Sequence, residues 1–170
     1  FSKFEVRGAG ALALLQTLCA NDLDRPVGSI VYTQMLNARG GIEADVTVTR
    51  LGADRFRIIP GTAYGEHAGA GRGLTAAGYR AIESLRLEKG YRYWSGEIGP
   101  DHTPYEAGLG FAVKLDKGEF IGRAALLRQK AEGLRRRLCC LALADPTAIA
   151  LGNEPIRRAE QVIGWVATGG

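Results

Sequence analysis

Residues 29–51 read S-I-V-Y-T-Q-M-L-N-A-R-G-G-I-E-A-D-V-T-V-T-R-L, and the alternation in this stretch decides the fold. From Ser29 to Leu36 the chain is rich in β-formers and sets Ile30, Tyr32, Gln34 and Leu36 on one side. Asn37 to Gly41 supply a turn, because the paired glycines tolerate positive φ. From Ile42 to Leu51 the alternation resumes. Ile42, Ala44, Val46 and Val48 face one way, and Glu43, Asp45, Thr47 and Thr49 the other. Two such runs joined by a short glycine turn predict a β-hairpin with one polar face.

Working outward, Gly8 to Cys19 places Ala11, Leu14, Leu15 and Leu18 at helical spacing, which predicts a helix packed on the sheet. Phe56 to Pro60 is a third strand, entered through a turn at Ala53-Asp54. Residues 62–74 are glycine-rich and aperiodic. A helix is expected from Ala76 to Lys89, ended by Gly90. Tyr79, Ile82 and Leu85 form its apolar face, with charge pairing among Arg80, Glu83 and Arg86. Downstream the pattern predicts a strand at Leu109–Val113, a helix from Gly122 to Ala131, and strands at Leu138–Ala144 and Gln161–Thr168. The class expected is α+β, with mixed, largely antiparallel sheets and packed helices.

The chain has 170 residues, 46% hydrophobic and 24% charged, as in a globular protein. No apolar run is long enough to cross a bilayer, and the first residues contain no signal-type apolar core, so a cytoplasmic protein is expected. The missing initiator Met points to a piece of a longer polypeptide. The cysteines Cys19, Cys139 and Cys140 have no framework spacing and read as buried thiols in a reducing compartment. Two distant histidines, His67 and His102, predict no metal site. A net charge of +4 favours an anionic partner. The only basic cluster, Arg135-Arg136-Arg137, comes with no nucleic-acid-binding signature, so nucleic acid is not expected. The run G-A-G-R-G-L at residues 69–74 lacks the G-K-[ST] ending of a phosphate loop.

Three spellings carry a resemblance: G-G-I-E-A-D-V-T-V-T-R after residue 39, E-K-G-Y-R-Y-W with E-A-G-L-G-F-A-V-K between Glu88 and Lys114, and K-G-E-F-I-G-R-A-A-L from Lys117. Together they resemble the folate-binding domain shared by the glycine-cleavage aminomethyltransferase and the dimethylglycine and sarcosine dehydrogenases, the dehydrogenase branch above all. The resemblance implies a folate-binding domain over residues 1–131 and the start of a C-terminal β-rich domain over residues 137–170. It also implies a further segment, absent here, at about 67–71. Expected with it are tetrahydrofolate as cofactor and a methylated glycine or other aminomethyl donor as small-molecule substrate. FAD would be confined to a separate flavin domain of the same polypeptide, since no dinucleotide fingerprint occurs here.

Residue by residue, the resemblance makes Asp45 the catalytic carboxylate, beside the folate nitrogen that receives the carbon. A fixed carboxylate in a partly dry site would steady iminium-like positive charge; the alternative is a solvated Asp on an outer strand face. Tyr32 either lines the folate pocket or is a core aromatic. Thr47 shares the face of Asp45, as a ligand contact or simply as a β-former. Arg80 either pairs with a folate glutamate carboxylate or forms a surface pair with Glu83 or Ser84. Of Tyr91, Tyr93 and Trp94, at least one is expected in the core, with Tyr91 offered as a pocket wall. Glu106 is expected to bind backbone groups.

Overall fold

The expected hairpin forms, and its alternation holds except at the turn end. In the computed structural model, residues 3–60 and 79–169 are described. They fall into two compact units, one formed within residues 1–64 and 98–138, the other within 65–97 and 139–170. The fold class is α+β.

In the first unit, β1 (Phe4–Arg7), β2 (Ile30–Leu36), β3 (Ile42–Gly52) and β4 (Arg55–Pro60) form one sheet in the order β1-β4-β3-β2, every pair antiparallel. One face of this sheet buries Val46, Val48, Phe56 and Ile58 against Ala11, Leu15, Cys19 and Leu23, from helix α1 (Ala11–Leu18) and the chain after it. Phe56 and Leu15 are sealed from solvent, and burying each contributes about 1.5–3 kcal/mol. The strand β1 carries no turn or glycine signal of its own and forms because β4 offers it an edge.

A second core gathers Leu36, Ile42, Ile98, Leu109, Val113, Phe120 and Leu126. Ile42 was expected on the face of Ala44, Val46 and Val48 but belongs to this core. The cause is a bulge: Met35 pairs with Ala44 and Leu36 with Ile42, so Glu43 has no opposite number and the strand end turns. The turn before it has no room for a side chain at Gly41. A Cβ on Gly41 would stand 1.7 Å from the Pro100 carbonyl oxygen. Asn37 closes the loop, its Oδ1 accepting from the Arg39 and Gly41 amides at 2.9 Å each.

The strand expected at Leu109–Val113 is instead a short 3-10 turn, Gly110–Ala112. Leu109, Ala112 and Val113 are buried while Phe111 is exposed, a helical spacing that a strand cannot present. Gly108 at φ 71° supplies the entry, and the Ala112 amide donates to the Leu109 carbonyl. Lys117 then clasps the end of α1, its Nζ donating to the carbonyls of Gln16, Cys19 and Asn21. Helix α3 (Arg123–Glu132) follows, close to its expected span.

The second unit contains helix α2 (Tyr79–Glu88) and a two-stranded hairpin, β5 (Pro155–Arg158) with β6 (Gln161–Trp165). Strand β6 falls within the expected Gln161–Thr168. Its partner β5 was not anticipated, because the turn places Ala159 at φ 53° with no glycine or asparagine to announce it. Ile82 and Leu85 of α2 are exposed, contrary to the apolar face expected there. Among the described residues of the helix, Glu83, Arg86 and Leu87 are half-buried. Arg86 donates to Glu83, Glu97 and Thr168 and stacks over the Tyr93 ring. Tyr91, Tyr93 and Trp94 are all exposed, so none fills a core as expected; Tyr93 serves Arg86 instead.

Residues 138–144 form no strand, and Cys139 and Cys140 are exposed rather than buried. Among the described residues no strand pairs with this segment, and β-propensity alone makes no ladder. Cys19 is buried as expected, and burial raises its thiol to about 11. The glycine-rich stretch, and with it the segment expected to be absent near 67–71, lies outside the described residues.

Candidate active site on the hairpin face

Asp45 stands in the middle of β3, directly opposite Gln34 on β2. Antiparallel partners share a sheet face, so the two side chains meet: Gln34 Nε2 donates to Asp45 Oδ1 at 3.1 Å. Gln34 is 0% exposed, whereas Asp45 is half-buried. The other amide atom of Gln34, Oε1, is buried with no hydrogen-bond partner among the described residues.

One row along, Tyr32 faces Thr47, and Thr47 faces Ile59 on β4. The Tyr32 ring stacks on Phe111, with centroids 6.1 Å apart and planes 22° apart. Phe111 is 69% exposed, which leaves most of that aromatic plate open to a ligand. The next row brings Thr49 opposite Arg57, and Arg57 opposite Glu5. Glu5 accepts from Arg57 at 2.9 Å, from Arg7 at 2.5 Å and from Arg55 at 3.2 Å. Hydrogen bonds from Arg57, then Arg7, hold its carboxyl down at about 2. The face therefore grades from a carboxylate and aromatic rings at β2 and β3 to an excess of guanidinium at β4 and β1.

Three of the expected site residues, Tyr32, Asp45 and Thr47, thus share one face of one unit. Tyr91 belongs to the other unit, where its ring is exposed and its carbonyl accepts from Arg86 at 3.2 Å. The side chain of Arg80 lies outside the described residues; Glu83 accepts from Arg86. Glu106 accepts from the Thr103 amide at 3.0 Å, as expected, and from Arg136 at 3.1 Å. Two depressions on the first unit, one lined by Tyr105, Val113, Lys114 and Lys130 and the other by Leu23, Val31, Arg50 and Phe56, do not include Asp45. The chemistry available at Asp45 is that of a carboxyl group with one oxygen anchored, one ladder row from the Tyr32 ring and its stack on Phe111. It suits a planar ring that carries an amine.

Gln34 and Phe111 were not read as site residues. The first was not legible from the turn alone: a turn centred between Asn37 and Gly41 puts residue 34 opposite 44, and only the bulge between Met35 and Leu36 moves it opposite 45. The second was hidden by reading its segment as a strand.

The described residues contain no helix long and apolar enough to cross a membrane. Comparison with known proteins gives consistent results. The family model described as the GCVT N-terminal domain matches residues 1–68 and 66–117. Mitochondrial sarcosine dehydrogenase of Mus musculus is 37% identical over 95% of this chain, which spans 18% of that protein. An aminomethyltransferase of Caldanaerobacter subterraneus is 36% identical over 99% of this chain, which spans 46% of that protein. The chain thus spans less than half the length of either relative. The crystal structure of the glycine cleavage system aminomethyltransferase T from Bartonella henselae shares the fold, with a TM-score of 0.61 at 22% identity over 77% of this chain and 61% of that one. The hairpin, its polar face and these matches agree: the chain belongs to the GCVT N-terminal domain family.

Proposed function

We propose that the chain is the tetrahydrofolate-dependent one-carbon transfer domain of a dimethylglycine- or sarcosine-dehydrogenase-like enzyme, capturing formaldehyde or an imine to form 5,10-methylenetetrahydrofolate. The observation that carries this reading is Asp45, half-buried and anchored through Oδ1, beside the Tyr32–Phe111 stack. The residues fit such a cofactor: two rings offer a plate for a planar heterocycle, and the carboxylate complements an amine. Tetrahydrofolate, when bound, supplies the nitrogen that accepts the one-carbon unit. Tyr32 and Phe111 hold the ring, and Thr47 offers a hydroxyl. Asp45 would steady the positive charge that develops as an amine meets an electrophilic carbon and would accept that amine's proton, with water leaving when formaldehyde is the donor and the parent amine leaving when an imine is. Arg80 and Tyr91 remain proposed cofactor contacts.

The same reading treats residues 1–131 as the folate-binding domain and 137–170 as the start of a β-rich domain. Relatives would carry a further segment near 67–71. The break of the family match at residues 66–68 supports that boundary. A flavin domain elsewhere in the polypeptide would generate the one-carbon unit, in keeping with the far greater length of the sarcosine dehydrogenase relative. A cytoplasmic setting remains part of the proposal.

A glycine-cleavage aminomethyltransferase is the second reading, favoured by the shared fold and by the relative of that name. It would release ammonia and require a lipoyl carrier protein. A non-catalytic folate-binding regulator is disfavoured, because residues 117–123 read K-G-E-F-I-G-R without the cysteine of that branch. Calorimetric titration of the full chain with tetrahydrofolate tests the proposal. Saturable binding in roughly the micromolar range is expected, and the absence of any saturable heat would end it.

A further inference from the structure

We propose that Gln34 is a positioning residue for Asp45, holding the carboxylate in the orientation that the reaction uses. The inference rests on the reading of Asp45 as the reacting carboxylate and deepens it. Three observations support it. Gln34 and Asp45 are directly opposed across the β2–β3 ladder, so backbone pairing sets the distance between them. Gln34 is wholly buried, so its amide is held by packing and is shielded from competing water. Its Nε2 donates to Oδ1 of Asp45 at 3.1 Å, while Oδ2 has no hydrogen bond among the described residues. The amide orientation follows from chemistry: turned over, it would set a carbonyl oxygen against a carboxylate.

That orientation leaves Oε1 buried without a donor among the described residues. A buried acceptor with no partner destabilises a fold, and an apolar side chain of similar shape would remove the defect. The fold keeps the defect and with it the bond to Asp45. An arrangement that weakens the fold locally while fixing a reactive group is characteristic of functional sites. Gln34 touches neither cofactor nor reacting carbon on this account; it acts only through Asp45.

A double-mutant cycle on the intact enzyme tests this, with tetrahydrofolate affinity and the urea unfolding midpoint measured beside turnover. Gln34→Leu is expected to leave the unfolding midpoint unchanged or higher and tetrahydrofolate affinity within about threefold, while lowering kcat roughly tenfold to a hundredfold. In the Asp45→Asn background the same substitution is expected to change kcat no further. An equal loss in both backgrounds would overturn the proposal, as would an unchanged kcat. A lowered midpoint with a proportionate loss of activity would assign Gln34 to stability and overturn it too. Failure of the wild-type protein to bind tetrahydrofolate would strike the functional reading instead, and the unfolding arm of the cycle would still report whether Gln34 and Asp45 are coupled.

Discussion

Asp45, Tyr32 and Thr47 were legible because a strand's period of two is a hard constraint: once the hairpin is recognised, the polar face follows. What that period does not carry is the partner across the ladder or a ring, Phe111, delivered to Tyr32 from far along the chain. Gln34 required the register, and Phe111 required the local conformation of its segment. The stacked pair makes a residue-scale prediction. Tyr32→Ala should weaken tetrahydrofolate binding about tenfold by calorimetry, the equivalent of about 1.4 kcal/mol, and Phe111→Ala should do so by a similar factor. Unchanged affinity in both variants would remove the aromatic plate from the site.

At the scale of elements, the turn between β2 and β3 fixes everything downstream of it. A one-residue slip would carry Asp45 to the opposite face. Two features pin the register: the Asn37 side chain that closes the loop, and the close approach of Gly41 to the Pro100 carbonyl. Gly41→Ala therefore forces backbone to move. It is expected to cost about 2 kcal/mol or more, seen as a lower urea midpoint at constant m-value. A neutral substitution would mean that the loop is looser than this geometry. The elements that the sequence misread fail for identifiable reasons. Leu109–Val113 alternates like a strand, yet Gly108 starts a helical turn that buries residues 109, 112 and 113 together. Residues 138–144 have strand composition and no strand beside them among the described residues. The β5–β6 turn bends at Ala159, a residue that does not advertise a turn.

At the scale of the whole molecule, both units rely on carboxylates held in their ionised form. In the second unit burial pushes the Glu97 carboxyl up, but hydrogen bonds from Thr168, Arg86 and the Tyr93 amide outweigh it and keep the group below its ordinary value. In the first unit the same balance keeps Glu106 low: burial opposes, and the Thr103 amide and Arg136 prevail. A carboxyl depressed in the folded state adds stability that is present above its ordinary value and is lost as pH falls below it. Stability is therefore expected to be flat near neutrality and to decline as pH drops below about 4.5, continuing toward the low value of Glu5. Chemical denaturation across that range checks it, and Glu97→Gln should flatten part of the decline. A pH-independent midpoint down to about 3 would contradict the assignment. Glu5 lies on the surface, so its share should shrink with added salt.

The central claim is that the Asp45 carboxylate takes part in the chemistry and not in binding alone. It is tested most directly by the rate at which the intact enzyme forms 5,10-methylenetetrahydrofolate, compared between wild type and Asp45→Asn with tetrahydrofolate saturating. The account predicts a fall of roughly a hundredfold to ten-thousandfold, with tetrahydrofolate affinity changed by no more than a few fold. A rate equal to wild type in Asp45→Asn would contradict it.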